Sequence, residues 1–380
     1  MHPHSNTKSV LHMTAGRFFP KATAQWLLPL AAVMMLASCH RHDALVRLQG
    51  EAQGTYYNIC YHDPQHRNLQ PQIDSLLNAF DMTASLWKEN SLIRKVNRHE
   101  TTAVNAAFCD LLRLSLQMEE YTHGAFNCRI GSLVNLYGFG FKNRDDITDS
   151  QIDSLLNLIR SGQCHIASPE SSGQLRLDSL GGNAVTALFN TLDSHYAVLS
   201  PGMELDFNAI AQGYAVDMLA HMFDNKGIHN YLIDVGGEVI AKGGKPDGTD
   251  WAVGIERPAK NKYSSQEIET AITLRNRSVV TSGSYRKYYE HNGTRYSHTI
   301  DPSTGRPVSH SLLSVSVVSS NAWYADAMAT AFMVMGLDKS LQFIHDHPEN
   351  GDIQAVFFIY DDHGTYKTHA TPAFQSMIIE

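Results

Sequence analysis

Apolar positions in the first part of the chain recur at helical intervals. Ile73, Leu76, Leu77 and Phe80 are spaced three and four apart, as are Phe108, Leu111, Leu112 and Leu116, so each set lines one face of a helix that packs against a core. A third helix starts at Thr148 or Asp149 as cap, runs through Ile152, Leu155, Leu156 and Ile159, and stops at Gly162. Ahead of them, Gln53-Gly-Thr-Tyr-Tyr-Asn-Ile places β-branched and aromatic residues after a glycine and reads as a strand. The second half alternates differently. Residues 209–223 read as a helix, and 231–235, 251–255, 271–274, 312–318 and 353–360 as strands, with helices over 323–335 and 339–345 between them. This irregular order predicts an α+β fold with a sheet-rich core and flanking helices, not a doubly wound one. No repeat, coiled coil or second membrane span is apparent.

The 380 residues suffice for a large core, in one domain or two lobes. A formal charge of -8 and the lack of any basic run argue against nucleic acid as a partner. Near the N-terminus Arg17 and Lys21 precede an apolar run over 26–36, too short to span a bilayer but suited to a secretory signal. It ends in Leu36-Ala37-Ser38-Cys39, which resembles a bacterial lipobox, in which the thiol of Cys39 is lipidated and the preceding segment removed. The plainer reading is an ordinary signal peptide that contains a cysteine. The organisation expected is a signal peptide over 1–38, with Met13 as a second possible start, a tether over 39–50 and one domain over 51–380. The protein is then a lipid-anchored, periplasm-facing component of a bacterial envelope. Cys60, Cys109, Cys128 and Cys164 show no C-x-x-C spacing, which argues against structural zinc and predicts mostly buried free thiols.

Candidate chemistry concentrates between Ser278 and Thr330. Thr281-Ser-Gly-Ser reads as a turn with donors for a phosphate, a weak signal alone. Asp326 and Thr330 lie one helical turn apart, so a carboxylate and a hydroxyl reach one hard cation such as Mg²⁺ together. His298 is either a packed or exposed histidine or a group that removes a proton near neutral pH, with the carboxylate of Asp301 as the other candidate base. Asp206 stands in a loop entering a helix and either caps it or meets a ligand. Gly236-Gly237 reads as a tight turn or as a close approach to a nucleotide.

Seven ordered blocks carry a resemblance: Gln53-Gly-Thr-Tyr-Tyr, Thr122-His-Gly-Ala-Phe-Asn with Gly131-Ser-Leu-Val-Asn-Leu-Tyr-Gly, Asp206-Phe-Asn-Ala-Ile-Ala-Gln-Gly-Tyr-Ala-Val-Asp, Asp234-Val-Gly-Gly-Glu, Thr281-Ser-Gly-Ser-Tyr, His298-Thr-Ile-Asp-Pro, and Ala325-Asp-Ala-Met-Ala-Thr. Together they resemble the ApbE family of FAD:protein FMN transferases over nearly all of the chain after the signal. The resemblance implies a two-lobed, T-fold-like α+β architecture with Mg²⁺ and FAD between the lobes. It implies Asp326, Thr330 and the Ala209 carbonyl as metal ligands, and Gln53, Trp87, Ala125, Phe126, Asn127, Asp206, Gln212 and Ile300 as residues holding FAD. Trp87 stacks on a ring or packs in the core. Gln53, Asn127 and Gln212 stand where relatives often carry Met, Asp, and Lys or Glu, so this chain offers neutral amides there. FMN would pass from FAD to a threonine of an acceptor flavoprotein, such as a subunit of the Na⁺-translocating NADH:quinone reductase or a related membrane redox complex. Two other readings are an FAD pyrophosphatase releasing FMN and AMP, and a non-catalytic FAD-binding lipoprotein.

Overall fold

A hydrophobic run that lacks the helical period, such as Ala355 to Ile359 at the start of the strand Ala355–Asp362, is buried on both faces. The computed structural model, described over residues 45–138, 147–167, 189, 195–258, 267–284, 288–291, 294–297, 299–348 and 353–379, builds its centre from such strands. Strands β1 (Leu45–Ala52), β2 (Thr55–His62), β3 (Tyr231–Val235), β4 (Glu238–Lys242), β5 (Arg277–Gly283), β6 (Leu312–Ser319), β7 (Ala355–Asp362) and β8 (Thr365–Ala370) form one eight-stranded sheet in that spatial order. Every neighbouring pair is antiparallel.

The period of two sorts side chains between two cores. Along β7, Val356 and Phe358 enter the larger core, whereas Ala355, Phe357 and Ile359 enter a second one on the opposite face. The larger core is closed by helices α1 (Gln70–Ala84), α3 (Ala106–Tyr121), α6 (Ala211–Asn225) and α7 (Ala322–Met335). Between α1 and α3 lies the short α2 (Leu92–Asn97), and after α3 come α4 (Gly131–Leu136) and α5 (Asp149–Ser161). The second core is covered by a hairpin of Trp251–Glu256 with Ile268–Leu274 and by Phe374. Residues 44–380 make one compact unit. A third, separate cluster joins Leu133 and Tyr137 to Ile152, Leu156, Ile159 and Ile300.

The α+β architecture and the helical periodicities agree with the sequence pattern, down to the capping box in which Thr148 and Gln151 close the start of α5. Three expectations change. The tether over 39–50 is too long, because residues from Leu45 onward already belong to β1. Gln53 and Gly54 are the two residues of the β1–β2 turn, with φ of 56° and 73°, so the stretch read as a strand begins with a hairpin corner and only from Thr55 onward is strand, in β2. Thr281-Ser282-Gly283 is not a turn but the end of β5, paired with β6 through Thr281 opposite Ser316 and Ser282 opposite Val315. Its hydroxyls disguised it: Ser278 Oγ donates to the Ser319 carbonyl at 3.0 Å and Thr281 Oγ1 meets Ser316 Oγ at 2.7 Å, so polar side chains are satisfied across the ladder. The four cysteines are free thiols, Cys128 buried and the others half-buried. Among the described residues no helix is long and apolar enough to cross a membrane. Cys39 and the run over 26–36 lie outside the described residues.

Candidate functional site

Two hairpin corners, β1–β2 and β3–β4, lie side by side because β2 pairs with β3. The second corner is Gly236-Gly237, with φ of 62° and 109°, a conformation that glycine adopts without strain. It is a tight turn, and it also allows a close approach, though to protein: a Cβ on Gly236 would stand 2.1 Å from Gln212 Nε2. Gln212, in the first turn of α6, donates from Nε2 to the Val235 carbonyl at 2.7 Å. Its carbonyl oxygen is what remains for a ligand.

A cavity of about 60 Å³ opens here, lined by Gln53, Phe80, Asp81, Ala84, Ser85, Ala211 and Gln212. Gln53 Oε1 is buried with no hydrogen-bond partner. A buried acceptor without a donor costs about 1–3 kcal/mol, so it is a place where a ligand N–H or a water belongs. Beside it Asp81, 7% exposed, has its carboxyl pushed above the usual range by burial, with Lys88 and the Gln53 N–H opposing. Asp81 was missed in the sequence because it sits within the periodicity of α1 as one polar residue beside Phe80. Trp87 follows α1 and is 63% exposed, which removes the core-packing reading, and its amide donates to Ser85 Oγ at 3.2 Å.

The helix starts supply the second half of the site. Neither Ile210 nor Asn321, the residues at the N-caps of α6 and α7, caps with its side chain. The two helices instead cap each other. Asp217 on α6 accepts from Ala322 N at 2.9 Å and Trp323 N at 2.8 Å, and Asp326 on α7 accepts from Gly213 N through Oδ2 at 3.0 Å. The crossing is tight, since a Cβ on Gly213 would meet the Ala322 carbonyl oxygen at 2.4 Å. Asp206, read as either a cap or a ligand contact, accepts the Asn208 amide on Oδ1 at 2.7 Å in a turn ahead of the helix.

This exchange takes its in-register helical donor from one carbonyl. Ala211 N bonds Phe207 O at 2.8 Å and Tyr214 N bonds Ile210 O at 3.0 Å, but Gly213 N, the in-register helical partner of the Ala209 carbonyl, is turned to Asp326. Thr330, one turn beyond Asp326, meets Ser282 Oγ at 3.2 Å, because the period of β5 aims Ser282 to the same face as Val280, towards α7. Burial pushes the Asp326 carboxyl up, opposed by the Gly213 N–H, and the nearby Asp217 pushes it further. Burial likewise pushes Asp217 up to about 7, with the Trp323 and Ala322 amides opposing. The Asp326 carboxylate, the Thr330 hydroxyl and the Ala209 carbonyl form an oxygen-only donor set, which fits a hard divalent cation, while Asp217 and Ser282 are engaged by the neighbouring amides and hydroxyl.

The segment 125–127 joins the site through the neighbouring backbone, since Asp206 N bonds the Cys128 carbonyl at 2.8 Å. Asn127 is spoken for on both ends, by Glu119 at 3.1 Å and the Arg129 amide at 2.8 Å. The Phe126 side chain is buried in the larger core and its amide donates to Thr122 Oγ1 at 2.9 Å, so any ligand contact there goes through its carbonyl or through half-buried Ala125. Ile300 is 2% exposed in the third cluster, and its side chain is likewise withdrawn from a ligand. Asp301 Oδ1 accepts both the Ser303 amide at 2.8 Å and the Ser303 hydroxyl at 2.7 Å. That carboxylate shapes the turn between Ile300–Asp301 and Arg306–Pro307, which weakens its case as a base. His298 lies outside the described residues.

Comparison with known proteins gives a consistent picture. The model of the ApbE family matches residues 53–357. The FAD:protein FMN transferase of Vibrio cholerae is 32% identical over 360 residues, covering 93% of this chain and 98% of the relative. That of Klebsiella pneumoniae is 31% identical over 339 residues, covering 87% and 89%. Among solved structures, the flavin transferase ApbE from Vibrio cholerae superposes with a TM-score of 0.68 at 29% identity, covering 88% of this chain and 99% of that one. The apo flavinyl transferase ApbE of Pseudomonas stutzeri gives 0.70 at 27%, covering 88% and 96%.

Proposed function

The chain belongs to the ApbE family, and we propose that it transfers FMN from FAD to a threonine hydroxyl of an acceptor protein, releasing AMP. The observation that carries this reading is the oxygen cluster of Asp326, Thr330 and the Ala209 carbonyl at the α6–α7 crossing, next to a cavity holding an unpartnered amide oxygen. Those three groups would hold Mg²⁺, with Ser282 steadying Thr330. When bound, the ion supplies charge neutralisation to the FAD pyrophosphate.

The chain's own groups do the rest. Gln53, Gln212 and Asp206 orient the nucleotide by hydrogen bonds, Trp87 stacks on a ring, and the 125–127 backbone and Ile300 backbone border it. His298 takes the proton of the attacking hydroxyl. The hydroxyl oxygen forms a bond to the riboflavin-side phosphorus, and the bond from that phosphorus to the oxygen of the AMP phosphate breaks, with AMP carrying away the electron pair. Such a transfer depends on positioning and electrostatics more than on covalent participation by the protein.

Purified mature protein incubated with FAD, Mg²⁺ and a candidate acceptor is expected to leave in-gel flavin fluorescence on the acceptor. Free FMN and AMP without labelled protein would favour the pyrophosphatase reading, and neither product would favour simple FAD binding. Acceptors of the expected kind are exported flavoprotein subunits of membrane redox complexes, which a lipid anchor at Cys39 would keep within reach.

Two expected outcomes follow from this reading. Trp87→Ala should raise the FAD dissociation constant about 2- to 10-fold, the worth of one aromatic contact, and leave the melting temperature unchanged because the ring is mostly exposed. Equal FAD affinity by fluorescence quenching would remove Trp87 from the site. Cys39→Ala should move the protein from the membrane fraction to the soluble one while preserving transfer to a soluble acceptor, since two or more acyl chains make anchoring stable. Wild-type protein already soluble in the envelope fraction would defeat the anchor.

A further inference from the structure

We infer that Asp217 is a positioning residue for the cation site, acting through Asp326 without touching the ion. The inference rests on the proposed Mg²⁺ site and extends it to a residue outside that ligand set. Its basis is the reciprocal capping of the two helices. Asp217 holds the first two amides of α7, Ala322 N and Trp323 N, one on each carboxylate oxygen. Asp326, four residues beyond Ala322 and so one turn along the same face, reaches back to Gly213 on α6. Gly213 is in turn four residues before Asp217. The four positions form a closed ring of two helix turns and two carboxylates, with no slack at the crossing, where Gly213 lies directly against the Ala322 carbonyl.

The consequence is geometric and electrostatic at once. Asp217 fixes where α7 begins, and therefore how far Asp326 and Thr330 stand from the Ala209 carbonyl across the crossing. It also keeps a second buried carboxyl group near Asp326, 4% exposed in each case. Groups that orient metal ligands in this way change metal affinity by 10–100-fold when altered. No local sequence pattern announces the arrangement, because the partners are more than a hundred residues apart.

The test is Asp217→Asn in the full mature chain, which keeps the shape, removes the charge and leaves one amide of α7 facing an NH₂ group. Mn²⁺ binding followed by electron paramagnetic resonance should weaken 10- to 100-fold, and the rise in melting temperature produced by saturating Mg²⁺ should shift to correspondingly higher Mg²⁺. In the transfer assay the loss should fall on the Mg²⁺ concentration for half-maximal rate more than on kcat. Asp217→Ser, a neutral residue that still accepts a hydrogen bond, provides the same measurement should the Asn variant fold poorly. A lower melting temperature with unchanged Mn²⁺ affinity in the folded variant would make Asp217 a purely structural cap and overturn the inference. Wild-type protein that binds no Mn²⁺ would overturn the cation site itself, a separate failure.

Discussion

Asp326→Asn should abolish Mg²⁺-dependent transfer, with a loss on the order of 10³-fold or more. Losing the single charged ligand removes several kcal/mol of stabilisation from a reaction that develops charge on phosphate oxygens, and about 4 kcal/mol corresponds to three decades in rate. The choice of Asn follows from the Gly213 hydrogen bond. Asn retains an oxygen for that amide at the α6–α7 crossing, whereas Ala would leave a buried N–H unpaired at about 1–3 kcal/mol. Asp326→Asn should therefore melt close to wild type in the absence of metal, or above it, since it also removes a carboxyl whose charged form burial disfavours. Asp326→Ala should melt lower. Full transfer by the Asn variant at limiting Mg²⁺ would refute the metal assignment. Loss of activity accompanied by unfolding would leave it undecided only for Ala, which is why the pair is measured together.

The legible and illegible parts of this chain divide by the range of the interaction. Helices α1, α3, α5, α6 and α7 and strands β3, β6 and β7 announce themselves because burial of one or both faces imposes a period on nearby residues. The i, i+4 relation of Asp326 and Thr330 is equally local and was readable. What sequence could not supply is who answers an amide or a hydroxyl from far along the chain. Asp206 was one candidate cap of α6 because caps are normally local, yet the acceptor for Gly213 is 113 residues away. β5 looked like a turn because its serines and threonine find partners on β6, at separations of 35 and 41 residues. Phe126 and Ile300 fit the family's ligand-holding positions, but a side chain's direction depends on the core it enters, and theirs enter cores. The reverse holds for Trp87, whose exposure no pattern of neighbours predicted.

His298→Ala separates chemistry from binding, and its expected loss of roughly 10²–10⁴-fold in turnover is the usual span for removing a general base. The competing candidate, Asp301, spends one carboxylate oxygen on both donors of Ser303 and holds the turn before Arg306–Pro307. A carboxylate committed to a turn is poorly placed to meet an acceptor hydroxyl as well. If His298 takes the proton, FAD affinity by fluorescence quenching should be nearly unchanged in the Ala variant. Single-turnover rates that rise with pH through the histidine range in the wild type should lose that rise, since histidine as a residue type titrates near neutrality. A positional role predicts the opposite pairing: weaker FAD binding and slower turnover together, with the pH profile retained, because the backbone leading into buried Ile300 would be displaced. Asp301→Asn distinguishes the last case. It should disturb the turn modestly and preserve the pH dependence if histidine is the base, and it should remove that dependence if the carboxylate is.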